Sequence, residues 1–164
     1  MADSQHRPPT PSQTVGPFFG IGLPFEGDAA AAGAGEEGSI RIEGQVFDGA
    51  GPAVSDVLLE AWSGDQFARC RTDAEGSYHF LLRRPAASAP SAPHFELTVF
   101  GRGLLQHLTT RIYLPAEAAL FEADPVLQEV EEGRRPTLIA ESDGSSLRFD
   151  VRLQGEGETV FFSR

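Results

Sequence analysis

Short stretches of alternating apolar and polar residues, separated by clusters of turn residues, dominate this chain from residue 39 onward. In the first stretch Ile40, Ile42 and Val46 alternate with charged and polar residues. A period of two puts alternate side chains on opposite faces of a β-strand. Similar stretches lie at 57–62, 71–72, 77–82, 94–100, 108–114, 147–153 and 159–162. About seven to eight short strands with turns between them predict an all-β fold, an antiparallel β-sandwich.

The first 38 residues lack this alternation and predict an irregular N-terminal arm. Five prolines interrupt the segment, and residues 28–38 contain only Ala, Gly, Asp and Glu, a composition typical of a flexible linker. The sequence therefore predicts an arm and linker over 1–38 and a sandwich domain over 39–164. Between residues 117 and 132 the mixture of acids and aliphatics, ending before Gly133, predicts at most one short peripheral helix.

The composition of the chain limits its partners and its location. With 13 basic and 24 acidic residues the formal charge is -11, which opposes binding to nucleic acid or to an anionic membrane. The single cysteine, Cys70, excludes an internal disulfide and a cysteine-based zinc site. The polar N-terminal residues do not resemble a secretory signal, so we expect a cytoplasmic protein.

Three segments carry a resemblance to a known family: Thr10–Phe18, Phe100–Leu104 and the C-terminal stretch 148–162. These segments resemble the intradiol ring-cleavage dioxygenases, in particular the α chains of the protocatechuate 3,4-dioxygenases. In that group an iron-free α chain and a catalytic β chain share one fold and form a hetero-oligomer. The resemblance therefore implies a partner β chain, a small aromatic substrate, and a reaction with O2 that gives 3-carboxy-cis,cis-muconate in aromatic catabolism.

The residues that would bind iron in a catalytic chain of this family are largely replaced. The family uses two tyrosines and two histidines, the histidines as His-x-His on one strand. Here Glu96 stands in place of the second histidine after His94, Phe67 stands near the first tyrosine position, and residues 86–90 contain no tyrosine. The resemblance implies that this chain has no catalytic residue and no metal, and that Fe(III) is bound only by the β chain. We expect the chain alone to be inactive and its remnant site to be apolar or collapsed.

A second interpretation of His94 and Glu96 is a fragment of a facial-triad iron site, because alternate strand residues face the same side. No further histidine or carboxylate lies at a ligand spacing nearby, which disfavours this interpretation.

The resemblance assigns four residues to a substrate pocket that the α arm shares with the β chain: Thr14, Gly16, Pro17 and Arg102. Their chemistry is suitable, because glycine permits a close backbone approach, threonine offers a hydroxyl, and arginine pairs with carboxylates. From the residues alone, Gly16-Pro17 is more typical of an ordinary turn, and Arg102 is more typical of a solvated loop arginine.

The alternative function is a binding or structural module. The segment 72–80 is also typical of the hairpin in carboxypeptidase-regulatory-like and prealbumin-type sandwiches, which have no catalytic activity. The arm at 10–18 and the C-terminal stretch distinguish the two hypotheses, because a generic sandwich has no need of either.

Overall fold

The computed structural model describes residues 9–163, which form two packed β-sheets. The nine strands are β1 (Ser39–Phe47), β2 (Val57–Ser63), β3 (Gln66–Arg71), β4 (Ser77–Arg83), β5 (His94–Gly101), β6 (Leu108–Tyr113), β7 (Glu141–Asp143), β8 (Ser146–Arg148) and β9 (Val151–Arg152). One sheet has the order β4-β1-β8-β7, with β9 also paired to β1, and the other has the order β3-β2-β5-β6.

The predicted β-sandwich is confirmed, with one difference in strand direction. The sheet β3-β2-β5-β6 is antiparallel throughout. The other sheet is mixed, because β1 pairs in parallel with both β8 and β9. These two strands return to β1 after a long connection following β6, and such a connection allows a parallel return that a tight hairpin does not.

The core lies between the sheets and follows the alternation of the sequence. On β4 the buried side chains are Tyr78, Phe80 and Leu82, and on β5 they are Phe95, Leu97 and Val99. Burying each large apolar side chain contributes about 1.5–3 kcal/mol, so this interface is the main source of stability. The opposite face of β5 carries His94, Glu96, Thr98 and Phe100, which line a surface hollow.

The helical content exceeds the prediction of at most one short helix, which was wrong. Residues 9–163 contain two short α-helices, α1 (Phe19–Gly22) in the arm and α2 (Pro125–Glu129). Helices of the 3-10 type precede and follow α2, at Pro115–Ala123 and Glu132–Leu138. Pro125 and Pro136 withhold backbone donors, which explains why the region forms several short helices and no single one.

Two strand boundaries also differ from the sequence prediction. β3 covers Gln66–Arg71, where the sequence predicted only residues 71–72. The predicted strand 159–162 is absent, although the Phe162 amide donates to the Thr109 carbonyl at 2.8 Å and the Thr110 hydroxyl donates to the Val160 carbonyl at 2.7 Å. These bonds hold the C-terminal segment beside β6 without a regular strand.

The segment before β1 lies against the sheets. The Leu81 amide donates to the Ala29 carbonyl at 2.9 Å, and the Arg69 amide donates to the Asp28 carbonyl at 2.7 Å. The start of the Ala/Gly-rich segment is therefore docked on β3 and β4, and the boundary at residue 39 stays a prediction. Within residues 9–163, helices are too short or too polar to cross a bilayer.

Candidate functional site

The arm residue Thr14 lies against the loop that follows β5. The Thr14 hydroxyl oxygen accepts a hydrogen bond from the Gly103 amide at 3.1 Å. Arg102 directly precedes Gly103, so the fold brings two of the four predicted pocket residues to one place. A cleft of about 640 Å³ opens beside them, lined mainly by arm, loop and C-terminal residues that include Val15, Leu104 and Phe162.

Gly16 and Pro17 redirect the arm into α1. Gly16 has a φ of 75°, in the left-handed region that favours glycine, and Pro17 is exposed. Among residues 9–163, neither forms a hydrogen bond with the loop of Arg102. The structure therefore places this pair next to Thr14 in the chain and at the surface, and their pocket role stays a prediction.

Arg102 is exposed and paired with an acid that the sequence did not single out. Its side chain is 65% exposed, and its Nη1 lies 3.7 Å from Asp56 Oδ2. Arg71 Nη2 lies 3.6 Å from the other oxygen of the same carboxylate. Asp56 lies in the turn before β2, at a position with no distinctive sequence motif, and sequence reasoning missed both Asp56 and Arg71.

A second concavity lies on the outer face of the β3-β2-β5-β6 sheet. Glu60 and Trp62 on β2 lie opposite Thr98 and Glu96 on β5, and with His94 they line a hollow of about 970 Å³. The expectation of an apolar or collapsed remnant was wrong. The hollow is open and its lining contains acids, arginines and histidines, because outward-facing strand positions alternate with the apolar core positions.

The hollow stays open at the end where β2 meets β3. Ser63 pairs with Gln66, so only Gly64 and Asp65 form the turn, and Gly64 has a φ of 59°. Such a two-residue hairpin has no additional backbone to close over the sheet. Phe67 packs on Trp62 with 4.4 Å between ring centroids, and Trp62 remains 44% exposed.

The side chains of the hollow do not fit a ferric site. A ferric ion prefers hard anionic oxygens together with imidazoles, and Phe67, which packs on Trp62 beside the hollow, supplies neither. The ring Nδ1 of His94 lies 2.7 Å from the Ala92 carbonyl oxygen, and burial lowers the pKa of His94. Within residues 9–163 the acids, histidines and Cys70 form no group of three that could bind a metal, so the facial-triad interpretation gains no third ligand.

The carboxylate of Asp124 is buried near His94. Asp124 accepts hydrogen bonds from the Ala92 amide at 2.9 Å, the Leu127 amide at 2.8 Å and the Tyr113 hydroxyl at 3.2 Å. Arg111 Nη1 donates to the same Tyr113 hydroxyl at 3.1 Å. These bonds connect the beginning of β5, the end of β6 and the first turn of α2.

The arm presents an apolar surface to solvent. Phe18 is 76% exposed, Ile21 is 71% exposed and Phe25 is 58% exposed. Burial of one face of α1 explains its position, because Phe19 and Gly20 are buried while Phe18 and Ile21 face outward. Several neighbouring exposed apolar side chains of this size mark a surface suited to contact with another protein.

Comparison with characterised proteins gives full-length relatives. The chain is 40% identical over 190 aligned residues to the protocatechuate 3,4-dioxygenase alpha chain of Burkholderia cepacia, with 93% of this chain and 96% of the relative covered. It is 38% identical over 195 residues to the alpha chain from Pseudomonas putida, with 94% and 96% covered. Both alignments are longer than the chain of 164 residues, so these relatives contain internal segments that it lacks.

A more distant relative is a chain of the other type. The protocatechuate 3,4-dioxygenase beta chain of Burkholderia cepacia is 30% identical over 156 residues, with 73% of this chain and 66% of the relative covered. No family model matches the sequence.

Solved structures agree on the fold. The dioxygenase domain of a dioxygenase carbohydrate-binding protein fusion from Streptomyces sp. SirexAA-E superposes with a TM-score of 0.63 at 23% identity, with 90% of this chain and 99% of that chain covered. An intradiol ring-cleavage dioxygenase from Tetranychus urticae gives 0.59 at 12% identity, with 87% and 91% covered. With full-length relatives and this shared fold, the chain belongs to the family of protocatechuate 3,4-dioxygenase alpha chains.

Proposed function

We propose that this chain is the iron-free α chain of a protocatechuate 3,4-dioxygenase and works together with a catalytic β chain. The similarity to two alpha chains over nearly the whole sequence carries this proposal. The more distant similarity to a beta chain supports a partner of the same fold. In the assembled enzyme, protocatechuate and O2 would be converted to 3-carboxy-cis,cis-muconate.

The contribution of this chain to the reaction is binding and positioning. Arg102 has donors suited to the carboxylate that distinguishes protocatechuate from catechol. Thr14 fixes the arm beside the loop of Arg102, and Gly16 and Pro17 continue the arm along the same surface. We infer that these four residues form one wall of a pocket whose reactive centre belongs to the β chain.

The side chains in and beside the hollow support the assignment of Fe(III) to the partner. The ring of Phe67 cannot ligate iron, and His94, whose Nδ1 lies 2.7 Å from the Ala92 carbonyl oxygen, could offer at most Nε2 as a single imidazole ligand. The ferric ion in the β chain would supply the activation of the aromatic ring toward O2. This chain would supply no ligand to it.

The exposed arm supports the hetero-oligomer. Phe18, Ile21 and Phe25 would lose contact with water in an interface, and burial of their apolar surface favours association. The alternative is a non-catalytic carboxypeptidase-regulatory-like or prealbumin-type module. This alternative accounts for the sandwich, but it does not account for the similarity to an alpha chain over 93% of this chain.

The experiment compares the purified chain with the product of co-expression with its β partner. Iron content and protocatechuate-dependent O2 uptake are measured in both preparations. We expect iron and uptake only after co-expression. Iron and activity in the isolated chain would contradict the assignment of the metal to the partner. Inactivity of a well-formed complex that contains iron would favour the non-catalytic module.

A further inference from the structure

Asp56 links two arginines through the two oxygens of one carboxylate. Arg71 Nη2 lies 3.6 Å from Oδ1, and Arg102 Nη1 lies 3.7 Å from Oδ2. The backbone of the same residue adds a third contact, because the Arg102 amide donates to the Asp56 carbonyl at 3.3 Å. Asp56 therefore constrains both the backbone and the guanidinium of Arg102.

Arg71 extends this link to the arm. Its Nη1 donates to the Gly20 carbonyl in α1 at 3.1 Å. A β-carbon on Gly20 would lie 3.1 Å from Arg71 Nε, so glycine at this position allows the helix to approach the arginine closely. Contacts therefore run from α1 through Arg71 and Asp56 to Arg102. The hydrogen bond of Thr14 joins the arm to the loop of Arg102 independently.

These ion pairs are suited to orienting the arginine side chains and not to stabilising the fold. The side chain of Arg102 is 65% exposed and that of Asp56 is 47% exposed, and exposed pairs of this kind contribute little to stability. Such a pair still restricts the rotamers that a free arginine would sample. A guanidinium has five donors in a fork, so contact through Nη1 leaves other donors available for a second carboxylate.

We propose that Asp56 is a positioning residue that holds the Arg102 guanidinium in the orientation that receives the substrate carboxylate, while Arg71 ties this orientation to the position of the arm. This inference rests on the proposed function of Arg102. Asp56 itself does not contact the substrate. Its effect is restricted to substrates that carry a carboxylate, because Arg102 meets only that group.

The test uses the complex with the β chain and the variant Asp56→Asn, which keeps the size of the side chain and removes its charge. KM and kcat are measured for protocatechuate and for catechol, which lacks the carboxylate. We expect KM for protocatechuate to rise about two- to fivefold with kcat unchanged, and catechol kinetics to stay the same. Equal changes for both substrates, no change, or a lower KM for protocatechuate would overturn the inference.

Further variants separate this inference from its alternatives. Glu43→Gln is the matched control, because Glu43 forms an exposed pair with Arg41 at 2.7 Å on the other sheet, and we expect wild-type kinetics. Asp56→Glu keeps the charge and should retain most of the affinity for protocatechuate. If the complex with Asp56→Asn does not assemble, Asp56→Glu is compared with Asp56→Ala. In an Arg102→Ala background, Asp56→Asn should have no further effect on protocatechuate.

The Arg102→Ala variant also distinguishes the two levels of the argument. If it leaves the ratio of protocatechuate to catechol kcat/KM unchanged, the proposed role of Arg102 fails. If it lowers the ratio and Asp56→Asn does not, only the inference about Asp56 fails.

Discussion

Thr14 and Gly103 are 89 residues apart in sequence and are joined by a hydrogen bond of 3.1 Å between the threonine hydroxyl and the glycine amide. This bond fixes the arm to the loop that carries Arg102. Both residues are exposed at the surface of the sandwich. The arm is therefore held against the sandwich at this loop.

Loss of the Thr14 hydroxyl should weaken substrate binding. Thr14→Val keeps the shape of the side chain and removes the acceptor, and a hydrogen bond of this kind is worth about 0.5–1.5 kcal/mol. We expect KM for protocatechuate in the complex to rise about two- to tenfold. Thr14→Ser keeps the hydroxyl and should behave like the wild type. Equal behaviour of the valine and serine variants would remove this role from the hydrogen bond.

Arg102→Ala should discriminate between substrates with and without a carboxylate. Hydrogen bonds to charged groups contribute about 1.5–3 kcal/mol, so KM for protocatechuate should rise about 10- to 100-fold, more than kcat falls. Catechol kinetics should change little. Arg84→Ala is a suitable control, because Arg84 is also half exposed and pairs with Glu117 beside the hollow. A parallel loss for both substrates would indicate a structural effect.

Asp124→Asn should destabilise the chain. The carboxylate is buried and accepts three hydrogen bonds, and asparagine in its place replaces one acceptor oxygen with an NH2 group that faces a buried donor. Leaving a buried polar group unsatisfied costs about 1–3 kcal/mol, which corresponds to a Tm lower by several degrees. Thermal unfolding measures the change. Asp143→Asn on the exposed strand β7 is the control, and a similar Tm for both variants would contradict the role of Asp124.

Tyr78 should make stability sensitive to alkaline pH. Its hydroxyl is buried and donates to the Phe149 carbonyl, and burial raises the pKa of Tyr78 well above its ordinary value. Above about pH 10 the tyrosine of the unfolded chain loses its proton while the folded chain keeps it. The unfolded state then binds fewer protons, so the free energy of unfolding falls as pH rises.

Tyr78→Phe tests this assignment in two ways. At neutral pH it should lower the free energy of unfolding by about 0.5–1.5 kcal/mol, because the Phe149 carbonyl loses its donor. The fall in stability above about pH 10 should become shallower. Iron content of the complex should not change, since Tyr78 is a core residue and not a metal ligand. An identical alkaline profile for the variant and the wild type would rule out Tyr78 as the titrating group.

The sequence determined the layers of the sandwich. A period of two predicted most of the strands, and it predicted that His94 and Glu96 lie on the same face of their strand. It also indicated the arm and the loop of Arg102 through their resemblance to one family. Local alternation is sufficient to predict which residues share a strand face, because successive side chains of a strand point to opposite faces.

The tertiary structure decided the contacts between segments that are distant in sequence. One such feature is the parallel pairing of β8 and β9 with β1. Two others are the buried hydrogen bonds of Asp124 and the pairing of Asp56 with two arginines. Gly44 shows the same limit, because a β-carbon there would overlap the Phe149 carbonyl oxygen, a contact that the alternating pattern of β1 does not indicate. Such contacts have no local signature, since the packing of the two sheets alone brings their residues together.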